Sequence, residues 1–176
     1  MTDYRRTLIP GATYFFTVNL ADRRETLLVD HIDLLRDAFR YVRRRHPFDI
    51  DAMVVLPDHL HAILTLPSGD ADFPLRWRLI KTWFSRHLPH GEHRRASRIN
   101  EGERGIWQRR YWEHLIRDEA DFARHVDYIH WNPVKHGHVA RDVDWPYSTF
   151  HRFVQDGVLT ENWACAENDA GFGERY

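Results

Sequence analysis

The sequence predicts an α+β domain built on one antiparallel sheet, and three observations predict it. Aromatic and β-branched runs at residues 14–20, 48–56, 60–66 and 106–116 read as strands, segments with helical spacing separate them, and turn residues mark the joints. Their order, β-α-β-β-α-β-α, is the ferredoxin-like split βαβ pattern, in which helices pack on one face of the sheet. A chain of 176 residues supports one domain with a real core and is short for two. Residues 1–154 are read as that domain and 155–176 as an acidic tail.

Each element has its own signal. Pro10 and Gly11 form a turn before YFFTVNL at residues 14–20, the first strand. Over residues 32–45, Leu35, Ala38, Phe39 and Val42 recur at helical spacing between charged positions, and Pro47 stops the pattern. The next two strands are separated by Pro57 and Asp58, a connection short enough for an antiparallel hairpin. A second helix follows Pro74, with Leu75, Leu79, Trp83 and Phe84 on one side and Arg76, Lys81 and Arg86 elsewhere. Residues 89–105 hold glycines and charges and read as a basic loop, 106–116 as the fourth strand, and 118–131 as a third helix closed by Asn132 and Pro133.

No apolar run reaches the roughly 18 residues a membrane helix needs, and MTDYRRTLIP has no apolar h-region. Cys165 is the only cysteine, so no intrachain disulfide forms, and a cytoplasmic location is expected. The net charge of −1 hides a polarity along the chain. Residues 76–110 carry ten Lys/Arg against three acids, while residues 155–176 carry five acids against Arg175. The basic stretch suits phosphate contact and is equally compatible with a solvated helix face. Its candidates are Arg76, Arg78, Lys81 and Arg86 on the second helix with Arg94, Arg95 and Arg98 in the loop.

His59 and His61 frame the start of the third strand two residues apart, so both side chains project from one face and two imidazoles are able to share a metal. With 13 histidines in the chain, roughly one such spacing arises by chance, and His136 and His138 form another across a glycine. On the third helix Tyr128 and Asn132 are four residues apart and therefore neighbours. Two imidazoles and an amide oxygen, with water and phosphate completing the shell, suit Mg²⁺ or Mn²⁺ at a phosphodiester, and a tyrosine beside such an ion is a candidate nucleophile. The same two residues also fit a half-buried helix tyrosine and an asparagine that ends the helix.

Four segments carry a resemblance: PDHLHAI at residues 57–63, WQRRYWEHLIRD at 107–118, YIHWNPVKHG at 128–137 and DWPYSTF at 144–150. In this order and spacing they resemble the REP-associated tyrosine transposases, a branch of the HUH single-tyrosine transposases, over residues 7–154. The resemblance implies the HUH endonuclease fold, His59 and His61 as the paired metal ligands, Tyr128 as nucleophile and Asn132 as a third metal-site residue. Mobile single-tyrosine relatives carry glutamine where this chain has Asn132, and the Asn-Pro-Val that follows matches the REP-associated branch. The implied activity is cleavage and rejoining of single-stranded DNA hairpins at REP-like palindromes through a 5′-phosphotyrosine, with a divalent metal, no nucleotide cofactor, and a monomer favoured over a dimer. Two other classes remain open: a hairpin-binding module with little catalysis, and a metal-dependent phosphodiester hydrolase without a covalent intermediate.

Overall fold

Strand β3 (His59–Thr65) sets the architecture, because residues on both of its sides are buried. It lies between β1 (Thr13–Asn19) and β2 (Asp49–Val55), and β4 (Trp112–Leu115) adds to the far side of β1, giving an antiparallel sheet of order β2-β3-β1-β4. The computed structural model describes residues 7–89 and 104–163. This order is the ferredoxin-like one that the element pattern predicts. The hairpin turn at Pro57 and Asp58 is closed by Leu56 N donating to His59 O at 2.8 Å, and an irregularity between Ile50 and Ala52 shifts the register of β2.

Alternation along the strands separates two cores. On one face Tyr14, Phe16, Val18, Leu60, Ala62 and Leu64 meet two helices, α2 (Ile32–Arg45) and α3 (Phe73–His87). Helix α2 offers Leu35, Ala38, Phe39 and Val42, the stripe the sequence marks, and follows the single turn α1 (Leu27–Asp30). Helix α3 starts where Asp72 accepts from Leu75 N at 2.9 Å with Pro74 in the first turn. On the other face Phe15, Ala52, Val54 and Ile63 meet α4 (Glu119–Lys135) through Val126, Tyr128 and Ile129. The α+β class stands as predicted, and the two crossover helices do share one face. Helix α4 departs from the one-face expectation because Phe15 and Ile63 are apolar residues that would otherwise meet water.

Two boundaries also differ from the sequence reading. The predicted strand at 106–116 is interrupted: Trp107 bridges Leu20, then the Gln108 carbonyl accepts Lys81 Nζ at 2.8 Å instead of extending the ladder. Helix α4 does not close at Asn132 and Pro133 but includes Pro133 in its last turn. It ends where His138 N donates to Pro133 O at 2.9 Å and Gly137 N to Val134 O at 2.9 Å. This Schellman closure needs a left-handed residue, supplied by Gly137 at φ +70°. A 3-10 turn (Asp142–Asp144) and α5 (Phe150–Gln155) complete the described chain, with Trp163 of the predicted tail packing 5.9 Å from the ring of Phe150. Among the described residues no helix is long and apolar enough to cross a membrane.

Candidate active site

The sheet register decides what surrounds the two histidines. In the β1–β3 pairing Asn19 stands opposite His59 and Thr17 opposite His61. His59 and His61 are 2% and 0% exposed. Nδ1 of His61 lies 2.9 Å from Thr17 Oγ1. Nδ1 of His59 donates to Asp58 Oδ1 at 2.7 Å, since an ionised carboxylate only accepts. Arg23 pairs with the same carboxylate, reaches Asn19 Oδ1 at 2.9 Å and lies 3.3 Å from His59 Nδ1. With Nδ1 of each ring in contact with the protein, a shared metal would take Nε2, and the two rings stand 5.0 Å apart.

Burial, rather than the neighbouring charge, favours a neutral His59: it pushes the ring below its ordinary value, against the opposing pull of Asp58. Burial alone would raise Asp58, but its hydrogen bonds and attraction to His59 and Arg23 prevail and hold it at about 2. A neutral imidazole beside an ionised carboxylate is the form that binds a metal.

Helix α4 brings the remaining groups. Asp118 caps it by accepting from Asp121 N at 2.7 Å. Tyr128, 2% exposed, places its ring 5.2 Å from His61 and 6.1 Å from Phe15. Asn132, fully buried, follows one turn later on the same side of the helix. His136 comes within 5.3 Å of His59, ring to ring, and Lys135 Nζ donates to Tyr128 Oη at 3.4 Å. The structure thus gathers Tyr128, His59 and His61 in one buried cluster with Asn132 on the adjoining helical turn. Two imidazoles and an amide oxygen are a donor set that fits a divalent ion of the Mg²⁺ or Mn²⁺ class.

No model of a known protein family matches the chain. A REP-associated tyrosine transposase of Escherichia coli (strain K12) is 49% identical over 175 residues, spanning 99% of this chain and 98% of that one. The chain belongs to the REP-associated tyrosine transposases. A Haemophilus influenzae protein bearing the same family name is 46% identical over 165 residues, 93% of each chain. A solved REP-associated tyrosine transposase bound to a REP hairpin superimposes with a TM-score of 0.86 at 48% identity, covering 100% of this chain and 99% of that one. The protein is therefore a DNA-cleaving transposase, of a family that implies a divalent metal.

In this transposase a second polar cluster, His114, Asp121 and His125, has the composition of a metal site. Its carboxylate is already committed. Asp121 Oδ2 accepts from His114 Nε2 at 2.8 Å and Arg117 Nε at 3.1 Å, and Oδ1 accepts from Arg124 Nη2 at 3.1 Å. Burial opposes ionisation of Asp121, but these donors hold it well below the usual carboxylate range. Two guanidiniums on one carboxylate disfavour a cation there, so the cluster reads as a junction that pins the start of α4 to β4.

The basic candidates divide. Arg76 is corrected: it is fully buried, where Asp70 Oδ2 accepts from Nη2 at 2.6 Å and the Pro47 carbonyl at 2.7 Å, so it braces α3 and is withdrawn as a DNA contact. Arg78 and Arg86 are exposed and Lys81 is half-buried. With Arg104 and Arg109 these three line an open groove of about 760 Å³. Arg94, Arg95 and Arg98 lie outside the described residues. Sequence reasoning missed Thr17, Arg23, Asp58, Lys135 and His136. Thr17 was findable from strand alternation opposite His61, and Lys135 from its spacing of seven from Tyr128, whereas Arg23 carries no local signal.

Proposed function

We propose that this transposase cuts and rejoins single-stranded DNA at hairpins of the REP-palindrome type, with Tyr128 as nucleophile and a 5′-phosphotyrosine as intermediate. The observation that carries the reading is the convergence of α4 on β3, which sets the Tyr128 ring 5.2 Å from His61 and within one cluster with His59. His59, His61 and Asn132 would hold one divalent ion, Mg²⁺ or Mn²⁺. When bound, the ion polarises the scissile phosphate and offsets its developing charge.

The chain's own residues do the rest. Asp58 and Thr17 fix the rotation of the imidazoles, and Phe15 limits the swing of Tyr128. Attack by the phenol oxygen forms one P–O bond and breaks another; the phenol proton leaves to solvent, and the departing 3′-oxygen takes a proton from solvent. One ester replaces another, so no nucleotide cofactor is needed, and a returning 3′-hydroxyl reverses the step. Burial of Tyr128 keeps water from the ester while the strand is held.

The groove lined by Arg78, Lys81 and Arg86 supplies the DNA-binding surface, and Arg94, Arg95 and Arg98 extend the same basic stretch in sequence. Gln108, which also lines it, donates its N–H to Asn19 O at 3.0 Å, and Asn19 is the register partner of His59. The relative bound to a REP hairpin supports a hairpin as ligand. Because Tyr128 packs against His61 of its own chain, one copy carries a whole site, which supports a monomer.

A 3′-labelled hairpin oligonucleotide, incubated with Mg²⁺ or Mn²⁺ and run on a denaturing protein gel, tests the reading. A labelled protein band is expected that disappears in Tyr128→Phe and with chelator. Cleavage without a band would favour the hydrolase, and binding with neither would favour the hairpin-binding module.

A further inference from the structure

We propose that Lys135 is a further catalytic residue of the transposase: its ammonium holds the Tyr128 oxygen and counters the negative charge on that oxygen during attack and during rejoining. The proposal rests on Tyr128 being the nucleophile. Three features of the fold carry it. Lys135 is seven residues after Tyr128, nearly two full turns, so both side chains stand on one side of α4. Nζ donates to Tyr128 Oη at 3.4 Å and lies 4.8 Å from the ring centroid, close enough to act on both the oxygen and the π-face. The contact is long for a hydrogen bond, as catalytic contacts often are before substrate tightens the site. The backbone of the last turn is fixed by the Schellman closure at Gly137 and His138, and a helix carbonyl end favours a cation there.

The position fits the chemistry. In the forward step the Tyr128 oxygen gives its electron pair to phosphorus as the bond to the 3′-oxygen breaks; in rejoining the same oxygen leaves carrying charge. A fixed cation on that oxygen acts in both directions and takes up no proton itself. Because Tyr128 is almost wholly buried, few waters compete with Lys135 for this task. A lysine serving only to grip a backbone phosphate would have no reason to lie against the tyrosine ring.

The test compares wild type, Lys135→Met, Lys135→Arg and Tyr128→Phe in single-turnover adduct formation with a single-stranded hairpin and Mg²⁺. Hairpin Kd and Tm are measured for each. Lys135→Met is expected to slow adduct formation and its reversal by about 10²–10³-fold with Kd changed less than about threefold, and Lys135→Arg to recover most of the rate. A substrate with sulfur as the scissile 3′-bridging atom, whose leaving group needs no help, should keep the Lys135→Met defect. The proposal is overturned if sulfur erases the defect, if Kd rises in proportion to the lost rate, or if Tm falls while the rate stands. If wild type forms no adduct, the Tyr128 reading fails and this proposal with it, an outcome distinct from a wild-type adduct that Lys135→Met leaves unchanged.

Discussion

The two faces of the sheet are made from alternate residues of the same strands, yet they bury different chemistry. Beneath α2 and α3 lie Tyr14, Phe16, Val18, Leu60, Ala62 and Leu64, closed over by Phe39, Phe73, Trp77 and Phe84. Beneath α4 the neighbouring positions are Phe15, Thr17, His59 and His61, with His125 and Asn132 buried from the helix side. The first face supplies most of the large apolar side chains, so the second is able to bury polar groups whose desolvation would otherwise be hard to support. Register links the two. A slip of one residue in β3 would carry Leu60 and Ala62 to the site and His59 and His61 into the apolar core, so the packing that stabilises the fold also fixes where the site lies.

If the division is real, damage to the closed face should act through stability alone. Trp77, 1% exposed and 5.3 Å from Phe16, is the test. Trp77→Ala is expected to lower unfolding stability by about 3–5 kcal/mol in a denaturant titration, with adduct yield per folded molecule unchanged. A loss of activity in fully folded protein would break the comparison.

Burial of charge on the α4 side gives the next largest effect. Asp142 is 4% exposed in the 3-10 turn, and burial raises its carboxyl to about 6. The folded state therefore favours the protonated acid. Its contribution is fully present below the unfolded value of 3.8 and is lost as pH rises through about 6. Asp142→Asn should gain stability over wild type on the order of 1–3 kcal/mol by pH 7.5 relative to pH 4, read as a Tm difference that widens with pH. A pH-independent difference would contradict the assignment.

The smallest of the three sharpens the site itself. Asp58→Asn removes the charge that orients His59 and is expected to weaken Mn²⁺ binding by about 10–100-fold in calorimetric titration of the folded variant, with a lower Tm because its pairing with Arg23 is also lost. Unchanged affinity would detach Asp58 from the metal role.

Much of this was legible in the sequence because it is periodic. The α2 stripe, the strand alternation of β1 and the short Pro57–Asp58 turn are local signals, and the ferredoxin-like order follows from them. The spacing of His59 with His61, and of Tyr128 with Asn132, placed each pair on one side of its element. What was not legible depends on distant partners. Arg76 reads as an exposed helix arginine until Asp70 and the Pro47 carbonyl enclose it. Pro133 reads as a helix stop, but in the last turn it forfeits only one backbone bond before Gly137 closes the helix. The side of the sheet that α4 covers is decided by Phe15 and Ile63, residues far from α4 in sequence.

The central claim is that α4 delivers the nucleophile to the histidine face, and mass-spectrometric mapping of the DNA-linked peptide tests it most directly. The chain has seven tyrosines. After trapping wild type on a hairpin with Mg²⁺ and digesting it, the nucleotide remnant should sit on Tyr128 and on no other residue. A remnant on another tyrosine, or strand cleavage with no linked peptide, would contradict the account.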